Sequence, residues 1–494
     1  MKKLTLIILL FASVAMFGQK QSLTYHPMFN PGEHPFYHGV AAGDSRSDGF
    51  VIWTRITPDD SVNLVVGKWY VATGDGKVVK SGNALAFAEK DYTVKITVHG
   101  LKPWTQYQYW FTAMGHRSPV GHVKTTPASD QAIDELSFVV FTGSNYNAGY
   151  FNAYCDAAKQ NVDYAIHTGD YIYEYKENDY GNNPHRGLMP KHEIVSLPDY
   201  RTRYSHYRLD TCLQKVHQAF GWYTIWDDHE VANDTWKEGA QNHQPDKEGN
   251  FFVRKTNALT AYYEWIPIRE TPDTSIQRVV NFGKMATLIF VDTRQYARDY
   301  QKKDRNDTTK TMLGNDQLQW LFDQMLEAQK SGVRWIVVTE QLMMAPLVIN
   351  GKVINSDGWD VYPAERRKIL DFIYKHDLKN VVFIGGDFHT SWVNELYLNP
   401  LDFRSRRRDT MAAIEFVTPS VTSPAANWFV TQYGKLLGHT KRHSYIRYVD
   451  LHHKGYMVLH FYPDRIEADY YYVGTIKKPG SKARLHKRYV YRGL

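Results

Sequence analysis

The chain of 494 residues holds only two cysteines, Cys155 and Cys212. That excludes a disulfide framework and a cysteine-rich zinc site, and it leaves open whether the two pair or stay as buried thiols. After residue 18 no stretch approaches the run of about 18 apolar residues that a membrane-spanning helix needs, so no transmembrane anchor is expected. No internal repeat is visible, and no sustained basic arm of the kind that marks a nucleic-acid-binding module. Charge of one sign is also scarce: 59 Lys and Arg against 52 Asp and Glu give a net charge of +7, which slightly favours anionic partners without naming one. The densest basic run, Lys477, Lys478, Lys482, Arg484, Lys487 and Arg488, reads as a solvated tail over 477–494, with a membrane or phosphate patch as the alternative.

What is present describes a large folded protein. Hydrophobic residues make up 43% and charged residues 22%, so disorder and collagen-like structure are excluded and two or three domains are expected. Lys2 and Lys3 precede an apolar run from Leu4 to Phe17, and Gly18 and Gln19 follow. This pattern is that of a secretory signal peptide over 1–18, and it predicts a secreted or periplasmic mature protein.

Two periodicities divide the remainder. Residues 24–127 alternate apolar and polar positions in short runs such as VIWTRI at 51–56 and QYQYWFTA at 106–113, predicting an N-terminal antiparallel β-sandwich of the immunoglobulin or fibronectin kind. From 135 to 476 short apolar strands alternate with helical segments, predicting a layered α/β domain. Strands are expected at 138–142, 164–168, 222–226, 286–291, 335–338 and 381–384. Helices are expected over 151–160, over 197–218 with a Ser196/Asp199 capping box, over 316–329 and from Pro363 onward, and a hairpin at 456–473.

The chemistry gathers where these strands end. Asp170, Asp227-Asp228, Asp292 and Asp387 each follow an apolar strand, at the edge where α/β sheets bind ligands. With His229 and His389 beside them, these carboxylates form a donor set suited to Fe, Mn, Zn or Ca, and paired ions of this kind clamp a phosphate and activate water.

These motifs resemble the PhoD-like alkaline phosphatase and phosphodiesterase family, a branch of the calcineurin-like metallophosphoesterases. The resemblance runs through GVAAGDSRSDGFVIWTRITP at 39–58, HTGDYIYEY at 167–175, LPDYRTRYSHYR at 197–208, WDDHEVANDTW at 226–236, VDTRQY at 291–296 and IGGDFHTSW at 384–392. It implies a four-layer α/β/β/α catalytic domain and a secreted hydrolase of phosphate mono- or diesters, acting on nucleotides, phospholipids or polymers. It also implies Fe³⁺ and Ca²⁺, with Zn or Mn as alternatives. The metal ligands it implies are Asp170, Tyr173, Asp228, Asn233, Asp387 and His389. His229 and Arg294 are implied as catalytic groups, and Arg201, Arg203 and Trp392 as phosphate or substrate contacts. One departure stands out. The family's Ser-Cys-Gln reads Gly143-Ser144-Asn145, which puts Ser144 where an iron-binding cysteine is expected and leaves Ser144 and Asn145 as substitute ligands. A hydroxyl is a poor replacement for a thiolate, so a secreted binding protein with lost or altered catalysis is the alternative function.

Overall fold

A computed structural model describes residues 26–271, 275–302, 304–349, 352–402, 410–425, 440 and 443–494; the leader expected over 1–18 lies outside the described residues. Among these, a nine-stranded sheet runs in the order Ala483–Tyr491, Ile466–Val473, Gly455–Phe461, Leu136–Phe141, Tyr164–His167, Gly221–Thr224, Val40–Arg46, Gly49–Arg55, Thr93–Val98. A seven-stranded sheet runs Arg278–Phe282, Ala286–Phe290, Trp335–Thr339, Val381–Gly385, Met411–Val417, Ser391–Tyr397, Ile446–Asp450. The central strands of both are parallel and buried along their length, as their unbroken apolar runs require.

The two sheets meet through aromatic side chains. Phe138 lies edge-on to Phe282 at 5.4 Å, and Tyr223 stacks on Phe290 at 5.9 Å. Each such pair contributes about 0.5–1.5 kcal/mol beyond its buried area. At one end the sheets are tied directly by a parallel bridge from Thr142 to Ser420. The C-terminal ends of both parallel blocks therefore open on the same region.

The N-terminal residues form antiparallel strands around a core of their own that includes Phe36, Ile52, Val71, Tyr109 and Phe111. Only one of their two sheets is separate, the five-stranded one containing Leu64–Thr73, Val78–Phe87 and Gln106–Ala113. The other is the end of the large sheet, since Ala42 pairs in parallel with Gly221 and Gly43 with Trp222. The two domains thus share a continuous hydrogen-bonded sheet.

The capping box at Ser196 is present: the Ser196 hydroxyl accepts from Asp199 N and the Asp199 carboxylate accepts from Ser196 N at 2.9 Å. The helix it starts ends at Arg208, short of the expected 218. Asp210 breaks it by accepting from Cys212 N and Leu213 N, which starts a second helix, Thr211–Ala219. The two cysteines form a disulfide that joins this second helix to Asn152–Ala157. The expected solvated tail over 477–494 is corrected. Ala483–Tyr491 is an edge strand paired with Ile466–Val473, and its basic residues reflect the solvent on its outer side. No helix among the described residues is long and apolar enough to cross a membrane.

Candidate metal centre

Four of the strands end in the loops that build the site. Tyr164–His167 leads to Asp170, Gly221–Thr224 to Asp227-Asp228-His229, Ala286–Phe290 to Asp292 and Arg294, and Val381–Gly385 to Asp387 and His389. The chain turns sharply to aim these side chains. Asp170, Asp387 and His389 hold φ of 60°, 56° and 56°, a conformation costly for residues with a side chain and concentrated at functional sites. Gly169, at φ +107°, lets the first loop touch the second, for a Cβ there would lie 2.5 Å from Asp227 N.

Three groups of donor atoms result, each within 4.8 Å: Asp170, Asp228 and His229; Asp227, Asp228 and Asp387; Asp228, Asp234 and Asp357. Asp228 belongs to all three. Asp170 Oδ1 and Asp227 Oδ2 are buried without a hydrogen-bond partner. Buried carboxylate oxygens are costly to leave unpaired, and hard cations held by these groups would satisfy them, so the residues fit a metal centre.

The electrostatics agree. Burial pushes the Asp170 carboxyl up to about 7, despite His229, with Asp228 adding to the rise. Burial likewise takes Asp387 to about 6 and Asp234 to about 7. Asp227 is also raised well above the usual range by burial. Asp228 is the exception: burial raises it, but Arg294 and His229 outweigh that and hold it ionised. Burial alone would lower His229, yet Asp228, Glu174 and Asp170 together hold its imidazole well above its ordinary range. The site is a concentration of negative charge calling for cations.

Around it, Tyr173 Oη donates to Asp170 Oδ2 at 2.6 Å and lies 3.0 Å from His389 Nε2. His389, kept neutral by burial and by Lys454, reaches Asp170 Oδ2 at 3.1 Å. His229 Nδ1 is bonded to Glu174 Oε2 at 2.7 Å. Glu230 accepts from the backbone N–H groups of Asp170, Tyr171 and Asp227, locking the first two loops together.

The remaining expected residues serve other roles. Arg294 is fully buried, with its guanidinium bonded to Asp227, Asp357 and Asp387, so it orients carboxylates and has no free face for substrate. Arg201 forms a two-pronged pair with Glu264, at 2.7 and 2.5 Å, and is corrected from a phosphate contact to a domain brace, since it also reaches Glu89 O. Arg203 is corrected too: it is fully buried and donates to the carbonyls of Tyr173, Tyr175, Met189, Pro190 and His192, shaping the loop that carries Tyr173. Trp392 is buried against Phe388, with Nε1 on Thr390 Oγ1. Asn233 gives its amide to Gln241, and its neighbour Asp234 joins the third donor group instead.

The departure at residues 143–145 takes a different form from the one expected. Ser144 Oγ is engaged by Tyr154 Oη and lies 3.3 Å from His167 Nε2, and all three residues are buried. Asn145 caps Ala148 N and donates to Tyr180 O. The position facing the centre is Gly143, where a Cβ would lie 2.9 Å from His389 Cδ2 and 2.8 Å from Ser420 Cβ. Its φ of +64° turns the chain and exchanges the sides that residues 143 and 144 face. Ser144→Cys should therefore leave metal content and visible absorption unchanged, as read by mass spectrometry and spectroscopy of the purified variant. A new charge-transfer band would place position 144 on the metal.

Sequence reading missed Asp357, Asp234, Glu174 and Glu230 as site residues. Glu174, Glu230 and Asp234 had a signal, since each is an acid inside a motif already singled out, whereas Asp357 sits in a loop without periodicity.

The chain is similar to known proteins along most of its length. The sequence pattern described as PhoD-like phosphatase matches residues 138–470, and that of the PhoD-like phosphatase N-terminal domain matches 21–127. The chain is 33% identical over 492 residues to alkaline phosphatase D of Bacillus subtilis (strain 168), covering 94% of this chain and 82% of that protein. A solved structure described as PhoD superposes with a TM-score of 0.85 at 32% identity, covering 94% of this chain and 91% of that one. The chain belongs to the PhoD-like phosphatase family.

Proposed function

We propose that this protein is an exported, metal-dependent hydrolase of phosphate mono- or diesters. The observation that carries the reading is the set of three overlapping donor groups sharing Asp228, with two buried oxygens that lack partners. Asp170, Asp227, Asp228, Asp387, His389 and Tyr173 would hold the metal ions, and bound ions supply Lewis acidity toward phosphate and toward the attacking water. The chain's own contribution is orientation and proton handling. Arg294 fixes Asp227 and Asp387, and Arg203 fixes the loop of Tyr173. His229, held protonated by Asp228 and Glu174, donates to the leaving oxygen from its other nitrogen.

Both cysteines are taken up by the disulfide, so the donors are oxygen and nitrogen only. Such a set favours hard ions: Fe³⁺ beside the Tyr173 phenolate and Ca²⁺ among the carboxylates, with Mn as the nearest substitute and Zn next. The two-sheet N-terminal core supports an immunoglobulin- or fibronectin-like sandwich. Two face-packed sheets with helices on their outer sides support the four-layer catalytic arrangement. The purely binding alternative loses its main motive, because Ser144 stands apart from the centre.

Metal removal tests the reading. Chelated protein should lose activity on both ester types and regain it when ions are restored. Its stability should also fall as pH rises from about 4 to about 8. Asp170, Asp387 and Asp234 have folded values of about 7, 6 and 7 against an unfolded 3.8, so protonation stabilises the metal-free fold below that window and the effect is lost above it. Melting temperatures with and without metal, read across this range, check the sign. Full activity after complete chelation would contradict the proposal.

A further inference from the structure

A phosphate ester carries negative oxygens that cations outside the metal set commonly grip. Each arginine that the sequence suggested for this role is taken. Arg294 is bonded to Asp227, Asp357 and Asp387, Arg201 to Glu264, and Arg203 to backbone carbonyls. Arg298 is paired with Asp357, Lys255 with Gln295 O, and His229 with Glu174.

Lys454 differs. Its Nζ donates to Ser420 Oγ at 3.0 Å, and it forms no ion pair with a carboxylate among the described residues. Ser420 stands at the wall of the centre: its Cβ faces Gly143, its hydroxyl reaches toward His389 O at 3.4 Å, and its carbonyl accepts from Gly455 N at 3.0 Å. Three residues further on, Ser423 Oγ donates to Tyr173 Oη at 2.5 Å. Burial lowers His389 most, and Lys454 is the charged neighbour that adds most to that fall, with Asp387 and Asp228 opposing it. The side chain is half-buried, so solvent still reaches it. Burial lowers its ammonium to about 7, with Asp450 opposing that fall, as expected of a cation set deep without a paired anion.

We propose that Lys454 grips the phosphate oxygens of the substrate, on the His389 side of the metal centre, and favours esters with a doubly ionised terminal phosphate. The proposal rests on the phosphoesterase reading. An ammonium adds most for the ligand of greater charge, so monoesters gain more from it than diesters.

The test compares Lys454→Met and Lys454→Arg with the unaltered holoenzyme. Lys454→Met should weaken binding of inorganic phosphate by about tenfold or more, and raise KM for a monoester by a similar factor. KM for a diester with the same leaving group should change much less, and metal content and melting temperature should be unaltered. Lys454→Arg should restore most of the loss. Unchanged phosphate affinity and an unchanged monoester-to-diester ratio in Lys454→Met would overturn the proposal. So would an arginine variant no better than methionine, which would mark a packing role. Phosphate binding reads Lys454 even where no ester is turned over, so failure of this residue and failure of the hydrolase reading are distinguishable.

Discussion

Asp228→Asn should lower kcat/KM on phosphate esters by at least about a thousandfold and deplete bound metal, while leaving the fold intact. Asp228 is the carboxylate common to all three donor groups, so its charge acts on every ion the centre holds. It is also the acid held ionised most firmly, because Arg294 and His229 outweigh the cost of its burial. An amide keeps the size but only one acceptor oxygen, whereas Asp228 accepts from Asp234 N at 2.6 Å with Oδ2 and from His229 N at 3.0 Å with Oδ1. One of these two loop bonds should therefore be lost while the surrounding sheets keep their course. The metal-free variant should be less stable than the metal-free parent, since the ionised carboxylate that Arg294 and His229 favour in the fold is gone. Metal analysis, rates and circular dichroism on one preparation check all three statements. A variant with near-parental rates would remove Asp228 from the centre.

His229→Gln should lower kcat by about a hundredfold to ten-thousandfold while retaining metal, provided that the imidazole acts as a proton donor rather than a ligand. The Glu174 contact at 2.7 Å fixes one ring nitrogen, and the neighbouring carboxylates keep the ring protonated. A proton donor matters most when the leaving oxygen is basic. The loss should thus be large for alkyl esters and small for aryl esters whose phenolate leaves readily. Rates on a series of leaving groups measure this slope. Equal losses on all esters, together with missing metal, would show that His229 binds an ion instead.

The parts of this centre that could be read from the sequence are those that hydrophobic patterning marks. Buried parallel strands are short apolar runs, and Asp170, Asp227, Asp228 and Asp387 each stand where such a run stops. The partners of the arginines were not readable in the same way. Arg201 finds Glu264, and Arg294 finds Asp357 and Asp387, across sequence separations of 63, 63 and 93 residues, so only the folded chain reveals that these guanidinium groups are engaged. Ser144 misled for a local reason. Strand alternation predicts which side a residue faces only while φ stays in the extended region, and Gly143 leaves it. The C-terminal strand was hidden by its own exposure: an edge strand with Arg484, Lys487 and Arg488 outward carries the composition of a tail.

Anomalous X-ray scattering from crystals of catalytically active protein, with energies chosen across the absorption edges of the candidate metals, tests the central claim most directly. The account predicts metal peaks within bonding distance of Asp228, one of them shared with Asp170 and another with Asp227 or Asp387, and none at the Ser144 hydroxyl. Active crystals with no peak beside Asp228 would contradict it.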